Sequence, residues 1–573
     1  MKFRWSLAPP QPALAEFLGR ELKLSPLLAQ CLLNRGLSEP EPIARFIEPR
    51  LKHLSDPFLL PDMALAVDRL FRAREHGETV VIFGDYDVDG VTATALLCEV
   101  LRALGWTVQY YLPHRMEEGY GLSQSGVENC LKKFPTTLLL ALDCGSTAFS
   151  TIEWLGAQGV DVLVVDHHQI GTPRPRAVAL VNPQAAPAGA PSFRELCSVG
   201  LAFKLAHALV KRGRETGLAG ALDVDVRSYL DLVALGTVAD LVPLIGENRV
   251  LVSIGLERLD QTQRPGLVAL KEVAKVGQPM GSYEIGFQLA PRLNAAGRLE
   301  NALEALELLL CQTASEAQAI ALRLDSQNRE RQGIERGIAD EVTGAIRARF
   351  DPARDFVLVE GQLLWHLGVV GIVASRVLQE FYRPTIILGG DGHEWRGSGR
   401  SIEGFDLAAA LRACDDLLLR HGGHPMAAGL TIEPGKVDLL RARLNELARR
   451  TLSQDQLQPT LSLDAEVASA DLTIERVREL EKLQQTGMGN PPVRLFVRKV
   501  MHQRPLERIG QEKRHVRLWV TDGRTVRNGV WWGAGNSTLP TGRFDLAFTP
   551  QINEFKGTTS VQLKVLDWRP ASP

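Results

Sequence analysis

Between residues 79 and 240, short unbroken apolar runs alternate with helical patterns, and each run stops at an acidic or histidine residue. The runs are Val80–Phe83, Leu138–Leu142 and Val162–Val165. A strand that is apolar at every position is buried on both faces, as happens when crossover helices cover a parallel sheet. In an open sheet of this kind the ligand crevice lies beyond the carboxyl ends of the strands. Asp85, Asp87 and Asp89 follow the first run, Asp143 the second, and Asp166, His167 and His168 the third. Three strand ends are therefore expected to deliver polar groups to one edge.

The chemistry of that edge follows from its charges. GDYDVDG (Gly84–Gly90) places three carboxylates within five residues, between a strand and a helix that begins near Val91. Like charges packed this closely at a strand end need a compensating cation, and oxygen donors suit a hard divalent metal. A calcium loop of the EF-hand type is the competing reading, but the glutamate that closes such a loop and its flanking helices are missing. Asp143, beside a glycine in LDCGS, could alone be a helix cap. Asp166-His167-His168 supplies imidazole ligands and a carboxylate to orient them. The apolar stretch YLDLVALGTVADLVPL holds two further candidates, Asp231 and Asp240; either would be expensive to bury without a partner.

At 573 residues the chain exceeds what one core serves, so several units are expected. The expected division is a helical N-terminal extension (1–60), the parallel-sheet domain (61–260), a helical region with a long connecting helix (261–350), a second α/β domain (351–452) and a C-terminal antiparallel β-barrel of OB-fold type (457–573). The barrel rests on period-2 segments such as HVRLWVTD and SVQLKVLDW between glycine-bearing turns. Within it Arg494, Arg498, Lys499, Arg504, Arg508, Lys513, Arg514, Arg517, Arg524 and Arg527 interleave with Trp519, Trp531 and Trp532, a pattern that suits phosphate tracking and base stacking. The bland alternative places at least one of these Trp residues in the barrel core.

A formal net charge of −2 argues against binding nucleic acid through bulk positive charge, although local basic surfaces remain open. Seven scattered cysteines without a CxxC pair indicate neither a disulfide framework nor a zinc ribbon, and a cytoplasmic location is expected. No segment approaches the ~20 uninterrupted apolar residues that span a bilayer, so no membrane association is expected.

GDYDVDG, LDCGS, VVDHHQ and LGTVADLVPL, in that order, resemble the successive motifs of the DHH phosphoesterase family. Downstream, LAPRLNAAGR (Leu289–Arg298), WHLGVVGIVASR (Trp365–Arg376), GSGRS (Gly397–Ser401) and RHGGHPMAAG (Arg420–Gly429) are similar to the DHHA1 domain and its connection in the branch that degrades single-stranded DNA. The resemblance covers most of residues 80–430. It implies two Mn²⁺ or Mg²⁺ ions held by Asp87, Asp89, Asp143, Asp240 and His167, with Asp85 a further ligand, and it selects Asp240 over Asp231. His168 would face the substrate and Asp166 would orient the histidine pair. Other hydrolases of the family carry a His just upstream of the first aspartates, where this chain has Phe83.

Substrate contacts are sought among donors beside glycines, where phosphate can approach the backbone: Arg115, Arg298, Arg400 and His424. Arg400 and His424 are read as lying in glycine-rich loops, and an ion pair with Glu117 or Glu118 is the alternative for Arg115. The matching motifs add Tyr120, Ser123, Asn294, His366, Arg376, Ser398, Gly422 and Gly423, and the barrel adds Trp519. The implied activity is two-metal hydrolysis of single-stranded DNA from the 5′ end, releasing 5′-mononucleotides in recombination and repair. The implied form is a monomer working with a helicase and a single-strand-binding protein. An oligonucleotidase for short RNAs or cyclic dinucleotides would not need the basic barrel. An inactive replication scaffold would have lost metal carboxylates that are all present here.

Overall fold

The computed structural model describes residues 3–115, 117–119, 121–186, 193–390, 393–555 and 557–571. Strand β1 (Arg4–Leu7) and the helices Pro12–Leu22, Pro26–Leu33 and Pro40–Ile47 open the chain. Each helix carries proline in its first turn, where the missing N–H would have had no helical partner. These elements do not stand apart from the rest of the chain. Strand β1 pairs in parallel with Thr460–Leu463, and Leu18, Leu28, Leu32 and Ile43 share one core with Leu495, Val516, Phe544 and Phe548. An apolar helix face records that it must be covered, not which distant segment will cover it.

Strands β2 (Thr79–Gly84), β3 (Thr107–Tyr111), β4 (Leu138–Leu142), β5 (Asp161–Val165) and β6 (Ala179–Val181) form a parallel sheet in the order β3-β2-β4-β5-β6. Alternate residues of one strand feed different cores: Val80 and Ile82 of β2 pack on one face, Val81 and Phe83 on the other. This double burial is why the runs read as continuously apolar. The strand order reverses between β2 and β4, which opens a crevice at their carboxyl ends.

The helix Ala314–Arg347, 34 residues and about 51 Å long, spans from this lobe to the next. Its first half buries Ala317, Ile320 and Leu324 in the first core; its second half buries Ile338, Val342 and Ile346 against Val370, Val373 and Val377. The second lobe holds β7 (Leu358–Leu363), β8 (Thr385–Gly390), β9 (Trp395–Arg400), β10 (Leu418–His424) and β11 (Ala427–Ile432) in the order β10-β11-β9-β8-β7. Only β7 and β8 run parallel, joined by the helix Val370–Phe381. GSGR and RHGGH therefore lie on strands β9 and β10, not in loops as expected. Their glycines have little strand propensity, and pairing with β11 supplies the order.

After β12 (Thr460–Leu463) and β13 (Ala465–Glu466) come β14 (Leu495–His502), β15 (Glu507–Ile509), β16 (His515–Thr521), β17 (Val526–Trp531), β18 (Phe544–Phe555) and β19 (Thr558–Pro570). Neighbours run β14-β18-β19-β17-β16, and a β14–β16 pairing closes the ring, as a small barrel requires. Arg249 fastens this end of the molecule to the first lobe. Its guanidinium lies 3.7 Å from the Phe46 ring centre and donates to the carbonyls of Phe46, Lys482 and Gln484 at 2.6–3.0 Å. Among the described residues no helix is long and apolar enough to cross a membrane, and all seven cysteines are buried and unbridged.

Candidate active site

Every acidic residue of the cluster sits where a strand ends or a helix begins or ends. Asp85 follows β2, and its N–H donates to Leu142 O at 3.2 Å, prolonging the sheet. Asp87 caps the helix Val88–Ala103: its Oδ1 accepts from Asp89 N at 2.9 Å and Gly90 N at 3.1 Å. Gly90 is required because a Cβ there would lie 2.6 Å from Asp85 O. Asp89 is buried at the start of the helix Ser198–Thr216, accepting from Ser198 N at 2.7 Å and Val199 N at 2.8 Å. Asp143 leaves β4 with φ 61°, a left-handed conformation that non-glycine residues rarely adopt, and accepts from Ser198 Oγ at 2.8 Å. Asp240 ends the helix Leu230–Ala239. Asp231, at the other end, is satisfied by Leu232 N and Thr262 Oγ1, both at 2.8 Å, and takes no part.

His167 Nε2 points into the middle of these groups, 3.5 Å from Asp240 Oδ2, 3.6 Å from Asp143 Oδ1 and 4.0 Å from Asp89 Oδ2. Burial and the neighbouring His168 charge push its pKa down to about 4, so it is neutral near pH 7. His168 behaves oppositely. Burial disfavours its cation, but the 2.7 Å bond from Nδ1 to Asp166 Oδ1, with the charges of Asp166, Asp240 and Asp85, raises it to about 9. Asp166 is buried too, yet its bonds from His168 and from Ser146 N hold it near 2. Burial, then mutual repulsion, lifts the carboxyls of Asp85, Asp89, Asp143 and Asp240. Asp89 rises to about 7 and Asp240 to about 9, while Asp85 and Asp143 lie well above the ordinary range.

These carboxyls fit a cation. Asp85 Oδ1, His167 Nε2 and Asp240 Oδ2 are buried without a hydrogen-bond partner among the described residues, a costly state that a metal would relieve. Their donor atoms fall into compact groups, Asp85 with Asp87 and Asp143, and Asp143 with His167 and His168, each within 4.8 Å. A third group joins Asp89, Asp240 and Cys197. Oxygen-rich ligation with one neutral imidazole suits Mn²⁺ or Mg²⁺.

A cavity of about 300 Å³ opens over the carboxylates, lined on its far side by Arg115, Asn294, Gly297 and Arg298. Arg115 lies 5.1 Å from the Tyr86 ring centre, and neither Glu117 nor Glu118 pairs with it: Glu117 approaches His114, and Glu118 accepts from Tyr111 and Asn129. Arg298 is half-buried and donates to Gly368 O at 3.1 Å. Burial, then the charges of Arg115, Arg331 and Arg400, lower its pKa to about 10. One cationic group thus draws on the first lobe, the connecting helices and the second lobe. Arg400 donates to Ser398 Oγ at 2.9 Å, and His366 Nδ1 accepts from Gly368 N at 3.1 Å. His424 stands opposite Ala427, which stands opposite Arg400, so Gly422, Gly423 and His424 belong to the same end of the second sheet.

Other expected contacts are engaged elsewhere. Ser123 caps the helix Gln124–Lys133 by accepting from Gly126 N, a hydroxyl local structure needed more than a ligand did. Arg376 pairs with Glu335 of the long helix at 2.5 Å. Tyr120 lies outside the described residues. Trp519 is on the outer face of the barrel with Arg504 3.3 Å from its ring centre, whereas Trp531 packs on the core. The sequence reading missed Ser198, Ser146, Asn182, Cys197 and Arg331. Asn182 Nδ2 donates to Ser146 Oγ and His168 O, both at 2.8 Å, holding the histidine loop. Ser146 closes the LDCGS motif without a role having been assigned to it, and the other four stand in no motif, so only the fold reveals what they do.

Residues 79–237 match the sequence model of the DHH family, N-terminal domain, residues 354–450 that of the DHHA1 domain and residues 463–567 that of the RecJ OB domain. The chain is 36% identical to the single-stranded-DNA-specific exonuclease RecJ of Bacillus subtilis, over 99% of this chain and 71% of that protein. It is 35% identical to the RecJ of Escherichia coli, over 94% and 95%. The crystal structure of RecJ in complex with Mn²⁺ from Thermus thermophilus superimposes with a TM-score of 0.84 at 30% identity, covering all of this chain and 80% of that one.

Proposed function

Because this chain belongs to the RecJ family of DHH phosphoesterases, we propose that its strand-end cluster is a two-cation centre that hydrolyses the terminal phosphodiester of single-stranded DNA. The protein is a metal-dependent exonuclease specific for single strands. The single observation that carries the assignment of the site is the set of buried ligand atoms without hydrogen-bond partners on Asp85, His167 and Asp240, with Asp85 and Asp240 lining the same cavity as Arg115 and Arg298.

Asp85, Asp87, Asp143, Asp89, Asp240 and His167 would hold two Mn²⁺ or Mg²⁺ ions, which when bound neutralise the phosphate and lower the pKa of a coordinated water. The protein's own groups do the rest. Neutral His167 is ready to ligate without first losing a proton. Asp166 fixes the Nδ1 proton of His168, so the imidazolium presents its Nε2–H as a cationic donor to the scissile phosphate or the leaving oxygen. Ser198 positions two carboxylates at once, Asp89 through its backbone and Asp143 through its hydroxyl. Arg115, Arg298 and Arg400, with Ser398, Asn294, His366 and His424, bind the terminal phosphate and sugar as the lobe 351–452 closes on the lobe 61–260. That capture sets a 5′→3′ direction and releases 5′-mononucleotides. Trp519 and the basic face of the barrel hold the trailing strand. We place the protein in the cytoplasm as a monomer acting in recombination and repair with a helicase and a single-strand-binding protein.

Digestion of 5′-labelled single-stranded DNA, duplex DNA and a dinucleotide with Mn²⁺ tests this. Labelled mononucleotide should appear from the single strand alone; preference for the dinucleotide, or release of label only after the 3′ end has been consumed, would reject the reading.

A further inference from the structure

Two large aromatic rings stand in solvent on the helical rod that reaches the catalytic cleft. Tyr283 and Phe287 are 61% and 70% exposed and stack on each other, with centroids 4.8 Å apart and planes 27° from parallel. They lie in Ser282–Leu289, whose second part, Ile285–Leu289, is a π-helical turn that continues directly into the helix Ala290–Leu299. π-turns are rare and concentrate at functional sites. That helix carries Asn294 and Arg298, which line the cavity over the carboxylates.

The pair is held in place. Ser282 Oγ donates to Thr486 O at 2.5 Å and Ser282 N to Gln485 Oε1 at 3.3 Å, which ties the start of the rod to that segment, while Glu284 caps the turn by accepting from Gly281 N at 2.8 Å. Leu241, the residue after Asp240, and Met488 are exposed as well, and Met488 O accepts from Leu244 N. Phe287 and Asn294 are seven residues apart, about two helical turns, and so face the same side to within about a quarter turn. At 1.5 Å per residue, Phe287 and Tyr283 stand about 10 Å and 16 Å along the axis from Asn294. At the 3.4 Å spacing of a stacked strand that distance is about three to five nucleotides.

We propose that Tyr283 and Phe287 form a base-stacking platform for the nucleotides three to five positions beyond the scissile bond. The occupant is the unpaired nucleobase, because every base offers a π-face and stacking on aromatic rings tolerates any sequence. Paired bases keep their faces inside the duplex, so the platform favours a single strand. It also sets a length below which a strand binds weakly. The inference rests on the exonuclease reading and adds the stretch of substrate that this rod contacts.

The test uses the full chain with Mn²⁺ and thymidine homopolymers of two, four, eight and twelve nucleotides. The wild-type ratio of kcat/KM for the twelve-mer over the dinucleotide should be large. The double substitution Tyr283→Ala/Phe287→Ala should lower that ratio roughly 5- to 100-fold, mostly through KM, and Phe287→Trp should retain it. In an Asp143→Asn background, 2-aminopurine at the fourth nucleotide should be quenched on binding with native rings and brighten with the double substitution. A ratio within twofold of wild type, an equal loss at both lengths, or no difference in quenching would overturn the platform while leaving the exonuclease reading intact. Failure of the wild type to degrade any of these strands would overturn both.

Discussion

The carboxylate centre and the basic barrel face are both dense in charge, yet they treat it in opposite ways. At the strand ends the charged groups are buried, repel one another and leave ligand atoms without partners. On the barrel, Arg498 pairs with Glu466, Arg514 with Glu512 and Arg517 with Glu507, all near the surface, while Arg527 donates to Ser469 O. A buried unpaired charge is tolerated only where something else compensates it; an exposed pair is worth little and is easily exchanged for phosphate. The first region should therefore fail as a unit when one member is removed, and the second should weaken by small steps.

The sharpest way to break this contrast is Asp143→Ala. Losing a carboxylate shared by two candidate ligand groups should remove several kcal/mol of transition-state stabilisation, or roughly 10³-fold in kcat, together with the Mn²⁺-induced rise in Tm. Retained turnover would take Asp143 out of the site. Ser198→Ala probes the support beneath it. Asp89 keeps its backbone donors while Asp143 loses 2.8 Å contact with Oγ, so activity should fall about 10- to 100-fold and be partly restored by excess Mn²⁺. On the barrel, Trp519→Ala should raise the Kd for a single strand about tenfold, whereas Arg517→Ala should change it less than about twofold in the same binding assay. Equal losses from the two would erase the distinction between the stacking residue and the paired charge. Deleting 457–573 is a poorer probe, since it strips the N-terminal helices of their core.

The smallest effect concerns the metal-free protein. Asp240 keeps its proton to about pH 9 when folded but loses it near 3.8 when unfolded, so the folded state binds more protons between those values. Its stabilising contribution is present below about pH 4 and is lost as pH rises through 9. In EDTA, Tm should therefore fall by a few degrees between pH 7 and 9, above the range where His167 titrates. Asp240→Asn should flatten that slope. A Tm that rises over this interval, or an unaltered slope in Asp240→Asn, would contradict the burial argument.

Much of this was legible in the chain because local rules carried it. Apolar runs ending in Asp or His forecast β2, β4, β5 and the edge they share, and the period-2 segments forecast β16 and β19. Asp240 was separable from Asp231 only by motif resemblance; the structure adds the reason, since Asp231 is satisfied by Thr262 and Leu232. The GSGR and RHGGH segments read as loops because glycine lacks strand propensity, yet pairing with β11 made them strands.

The sequence by itself determined which groups would carry the chemistry, because ligand types, strand ends and turn residues are local properties. Tertiary structure alone decided how they are supported and covered. Ser198 lies 55 residues from the Asp143 it holds, Gly368 is 70 from Arg298, and the N-terminal helices close a barrel core more than 400 residues away. Such contacts depend on which apolar faces meet when solvent is excluded, and no pattern of period or spacing along the chain encodes that pairing.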